Sequence, residues 1–159
     1  MTPALPQVEP VTGIPITVDP SLKDFAGRYS PPSMMDKLLS YLPFLNHPSA
    51  GSIRVNPANA NDPNVSIRHE AIHALLDKVN ASGQLDKMNA ENPAFQQIIQ
   101  NWPKFAGEPN QELPAYVATG ESSGLNIPEN LRKAGIDKLV EQLIKLDPQT
   151  AAKYKRLSQ

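Results

Sequence analysis

The chain has no cysteine among its 159 residues. Disulfides, thiolate metal sites and cysteine nucleophiles are therefore excluded, and any bound metal must be held by nitrogen and oxygen. A charge excess is missing too, since 15 Lys and Arg stand against 16 Asp and Glu for a net charge of −1. Without a basic field for phosphate backbones or anionic lipid, nucleic acid is not an expected partner. No apolar run approaches the roughly 18 residues that span a bilayer; the greasiest stretch, 34–45, is interrupted by Asp36, Lys37 and Pro43. No secretory leader is legible, because residues 1–10 carry neither Lys nor Arg and no apolar run follows. A Pro-rich start of this kind suits an exported chain after trimming. Glycine is scarce, 8 against 17 prolines, which implies many short, sharply bounded elements.

Residues 1–13, with Pro3, Pro6, Pro10 and Gly13, read as an extended arm, and residues 14–159 as one domain. Ile14, Ile16 and Val18 alternate with Pro15 and Thr17, the pattern of a strand that Pro15 confines to a sheet edge. Ser33 caps an expected helix over 33–42 bearing Met34, Met35, Leu38, Leu39, Tyr41 and Leu42, a broad apolar face expected in the core with Trp102 and Phe105. Ile53 and Val55 alternate with Ser52, Arg54 and Asn56 in a strand within 51–57.

Asp62-Pro63 pairs an N-cap with proline at the first helical position, and Gly83 supplies a stop, so a helix is predicted from about 63 to 80. Asn92-Pro93 opens another before Phe95, Ile98 and Ile99. Asn110 caps a third through Thr119, with Pro114 in its first turn and Gly120 closing it. Ile127-Pro128 and Asp147-Pro148 open two more, whose Lys153, Lys155 and Arg156 read as a solvated face. Two or three short strands against five or six helices make a mainly helical α+β domain.

The helix from Asp62 contains His69-Glu70-Ala71-Ile72-His73. Spacing of four places both imidazoles on one helix face, one turn apart, which suits two ligands of one metal ion. Glu70 flanks that metal without ligating it and is placed to take a proton from water. This is the His-Glu-x-x-His zinc peptidase pattern; the bland alternative is a solvated face carrying two surface histidines. A catalytic zinc needs a third protein ligand. Asp77 lies roughly 12 Å along the axis from His69, out of reach, and is read as supporting a ligand or facing solvent. Leu76 and Val79 stand where a metzincin has glycine and histidine. His47 reads as a surface residue of an Asn-His-Pro turn. Among Glu91, Glu108, Glu112 and Glu121, Glu112 alone falls inside a predicted helix, with small Ala115 nearby to permit close packing.

These residues resemble the gluzincins, zinc peptidases with a His-Glu-x-x-His helix and a separate glutamate helix that supplies the third ligand. The likeness covers about residues 51–119. It implies a zincin-like fold in which His69, His73 and Glu112 bind Zn2+ and Glu70 is the general base. It also implies an edge strand at 51–57 for extended substrate and a backing helix at 33–42. Tyr116 stands where thermolysin-like members carry aspartate, and the substrate motifs of thermolysins and large aminopeptidases are missing, so a minimal gluzincin is nearest. Tyr116 shares a face with Glu112 and is a candidate to bond a ligand or stabilise an oxyanion, or else a packed tyrosine. The serines of Glu121-Ser122-Ser123-Gly124 have no histidine nearby and are not read as nucleophiles.

The expected activity is zinc-dependent hydrolysis of a peptide or protein substrate, an endopeptidase reaction. The alternatives are a peptidase restricted to one partner or to cell-wall peptides, and a non-catalytic zinc-stabilised interaction module of a larger assembly.

Overall fold

Three short strands form the sheet: β1 (Ile16–Val18), β2 (Gly27–Ser30) and β3 (Ser52–Val55). They belong to a computed structural model that describes residues 4–39, 41, 51–120 and 125–159, with three strands and seven α-helices among them. The chain divides into two units, one ending at Ala74 and one starting at Leu75. The result is a mainly helical α+β protein, as the count of elements predicts. No helix among the described residues is long and apolar enough to cross a membrane.

In the first unit β3 is central. β1 lies parallel to it, with Ile16 opposite Ile53 and Val18 opposite Val55, and β2 lies antiparallel, with Gly27 opposite Val55 and Tyr29 opposite Ile53. Ile53 and Val55 are fully buried while Ser52 and Arg54 are half-buried, the alternation a one-faced strand requires. β1 takes the edge, where a preceding proline costs no ladder bond. The expectation of an edge strand at 51–57 is corrected: both sides of β3 are paired, and the second edge is β2. β2 escaped the sequence reading because Gly-Arg-Tyr-Ser has no apolar alternation, and its pairing depends on β3, more than twenty residues away.

Within the stretch read as an arm, Val8 bridges Pro15 and the Glu9 N–H donates to the Ile14 carbonyl. The buried Glu9 carboxylate accepts from the backbone of Val11 and Thr12 and from the Thr12 hydroxyl.

Helix α1 (Met34–Leu39) starts as predicted: Ser33 Oγ accepts from the Asp36 N–H at 3.0 Å, and Asp36 accepts from the Ser33 N–H at 2.9 Å. Its placement in the core is corrected, since Met34 is 89% exposed, Met35 61% and Leu38 64%. An apolar periodicity reveals a face but names no element to cover it. Residue 40 and residues 42–50, including His47, lie outside the described residues, as does the loop 121–124 with Glu121.

α2 (Pro63–Ala81) begins with Asp62, whose carboxylate accepts from Asn64 N at 2.9 Å, and gives way to Gly83 at φ 74. α3 (Gln84–Ala90), not anticipated in the sequence, follows directly.

The second unit is a helical layer of α3, α4 (Pro93–Ile99), α5 (Pro109–Thr119), α6 (Glu129–Leu146) and α7 (Pro148–Leu157), in which α6 packs on α4, α5 and α7. Asn92 and Asp147 cap α4 and α7 through Phe95 N and Gln149 N, as their Asx-Pro signals predict. Phe95, Leu113, Val117, Leu139, Leu143 and Leu157 are buried. The Tyr154 hydroxyl, whose ionisation burial strongly opposes, donates to the Pro114 carbonyl at 2.8 Å. Lys153, Lys155 and Arg156 are exposed, and Trp102 is half-buried rather than core.

α5 corrects one boundary. It starts at Pro109 with Glu108 as N-cap, not at Asn110, so Pro114 lies beyond the first turn. Proline has no N–H for the Asn110 carbonyl four residues back. The buried Asn89 side chain supplies the missing donor, its amide reaching Asn110 O at 2.8 Å.

Candidate metal centre

A capped helix with four-residue spacing stacks the two histidines as the sequence requires. On α2, His69 Nε2 and His73 Nε2 are 3.1 Å apart, with ring centroids at 4.9 Å and planes at 62°. His69 is buried and His73 half-buried. Nitrogen donors on one tetrahedral zinc lie about 3.3 Å apart, given Zn–N distances of about 2.0–2.1 Å, so the observed separation is the one a shared ion needs. The same contact serves as an N–H···N hydrogen bond when one ring carries its proton on Nε2.

Glu112, at the fourth position of α5, completes a group: one ligand atom from each of His69, His73 and Glu112 lies within 4.8 Å of the others. It is the only group of three potential ligands among the described residues, and its donors are two nitrogens and an oxygen. The members of this group are the two histidines and the one glutamate chosen among the candidates from sequence. Glu91 is the C-cap of α3 and Glu108 the N-cap of α5, both exposed, and Asp77 is half-buried outside the group.

Glu70 is not a member of this group. It is half-buried, and its Oε2 accepts the Tyr29 backbone N–H at 2.7 Å. Gly27, also on β2, lies so near that a Cβ there would come within 3.0 Å of Glu70 Cγ. One residue holds the carboxylate and the other leaves room for its stem. Neither was legible from sequence, because both act through a strand without a local signal.

Glu112 has a similar neighbour. Gly107, at φ 78 and ψ −164, would carry a Cβ 3.0 Å from Glu112 Cγ. This backbone region is open essentially to glycine alone, so a glycine in a proline-rich chain was the available signal. Tyr116, one turn after Glu112, is half-buried, its ring 5.9 Å from Trp102 in an edge-to-face contact at 67°.

No protein-family model, curated protein or solved structure matches this chain.

Proposed function

We propose that this chain is a zinc-dependent peptidase of the gluzincin kind, with His69, His73 and Glu112 as ligands and Glu70 as general base. The observation that carries the reading is the group of three potential ligand atoms within 4.8 Å of one another, together with a carboxylate, Glu70, that follows His69 in the chain and is not one of them. Two imidazoles and one carboxylate form the three-ligand set of a catalytic zinc, which leaves a fourth position for water or substrate. Bound there, zinc supplies Lewis acidity toward a peptide carbonyl and toward water.

The chain's own residues do the rest. The Glu70 carboxylate, oriented by the Tyr29 N–H, takes a proton from the attacking water and returns it to the departing amine. Tyr116, one turn beyond Glu112 on α5, donates to the oxygen that gains charge as the carbonyl is attacked.

Glu70→Gln tests the assignment, since it keeps the shape and removes the base. A peptide library digested by the parent protein and read by mass spectrometry identifies a cleaved sequence; on that sequence the variant is expected to retain zinc and lose at least about a hundredfold in rate, the scale of general-base catalysis. A parent that cleaves no peptide in its zinc form, or a zinc-loaded variant that cleaves as fast as the parent, overturns the reading.

A further inference from the structure

The loop between α4 and α5 is tied to itself and to the ligand helix by contacts that the activity alone does not require. After α4 the chain passes through Trp102 and Pro103 and makes a single 3₁₀ turn over Lys104–Ala106, where Ala106 is buried. It reaches α5 through Gly107. The Trp102 indole N–H donates to the Gly107 carbonyl at 2.9 Å, closing this loop across five residues. The indole and the Tyr116 ring, one turn beyond Glu112, meet edge to face. Gly107, held in a conformation that other residues avoid, lies against the aliphatic stem of Glu112.

Resting on the ligand role given above to Glu112, we propose that Trp102 and Gly107 are positioning residues for that ligand: the indole-closed loop fixes the Glu112 side chain in its ligating pose before metal arrives. A glutamate side chain loses rotamer freedom when it binds a metal, and a loop that has already restricted it removes part of that cost. Trp102 acts at two points, on the loop carbonyl next to the Glu112 stem and on the ring one turn along the same helix. Gly107 supplies the close approach that any Cβ would block. Neither touches the metal.

Trp102→Phe is the informative variant, because phenylalanine keeps an aromatic ring beside Tyr116 while losing the donor to Gly107 and part of the indole's area. Zinc affinity is read by competition with a chromophoric chelator, in the parent, in Trp102→Phe, in Glu112→Ala and in the double variant. The inference expects Trp102→Phe to weaken zinc by about tenfold, the low end of what residues supporting a metal ligand contribute, and to add nothing once Glu112 is alanine. A general loss of structure would instead weaken zinc equally in both backgrounds, and that result overturns the inference, as does parent-like affinity in Trp102→Phe. Trp102 is the single tryptophan of the chain, so its emission gives a second readout. Because the loop is set before metal arrives, zinc should leave that emission nearly unaltered in the parent; a large change on zinc binding would show that the loop forms only with the metal and counts against the inference. If the parent binds no zinc, or Glu112→Ala binds it as tightly as the parent, the ligand assignment itself fails and this inference falls with it. A parent and Glu112→Ala that differ while Trp102→Phe matches the parent removes the positioning role alone.

Discussion

Glu70 is bounded on one side by a backbone N–H and on another by a missing side chain. The Tyr29 N–H fixes Oε2 at 2.7 Å, and the bare Cα of Gly27 admits the Cγ methylene. Gly27 is not in the left-handed region, so alanine there meets no backbone penalty, and its whole effect comes from the 3.0 Å approach to the Glu70 stem. Gly27→Ala is therefore expected to displace the carboxylate while leaving His69, His73 and Glu112 in place. Peptide hydrolysis should fall at least tenfold, the order of loss that follows small misplacements of a reacting group, with zinc affinity unchanged in the same chelator titration. Equal activity in parent and variant would mean that Glu70 has slack the contact does not suggest. At this scale the side-by-side placement of His69 and His73 was legible in the sequence, because helical spacing alone determines that they share a face. The sequence was silent about Gly27, Tyr29 and Gly107, whose roles arise from contacts distant in the chain or from a backbone angle that composition does not reveal.

Helix α5 carries Glu112 in spite of an internal proline, and the reason lies in a second element. Pro114 leaves the Asn110 carbonyl without its intrahelical donor, and the buried Asn89 amide of α3 fills the place. Asn89→Ala should cost about 1–3 kcal/mol in a denaturant melt, the range for stranding a buried polar group. Adding Pro114→Ala to that variant restores an N–H to the Asn110 carbonyl and should recover part of the loss. A double variant no more stable than Asn89→Ala would refute this account of the tolerated proline. Helix starts marked by a local device were legible: Asp62-Pro63, Asn92-Pro93 and Asp147-Pro148 each combine a capping side chain with proline at the first helical position. Where the device was weaker the boundary slipped, as at α5, whose Glu108 N-cap makes no side-chain bond. The apolar side chains of α1 illustrate the opposite limit: their spacing was readable and their exposure was not, because burial is decided by what comes to cover a face.

For the whole molecule, the balance of short strands and helices followed from proline punctuation and apolar period, and so did the mainly helical α+β class. The sheet order β1-β3-β2 did not, since a central strand and an edge strand differ in their partners and not in their own few residues. The proposed chemistry rests on His69, His73 and Glu112 as one ligand set, in which the sequence separates the glutamate from the histidines by about forty positions. The most direct test of that set is a count of zinc per chain. Protein equilibrated with zinc, freed of excess by dialysis and measured by elemental analysis should hold one ion per chain, and none when His69 and His73 are both alanine. A parent chain that retains no zinc, or a double variant that still retains one, would contradict the proposed metal centre.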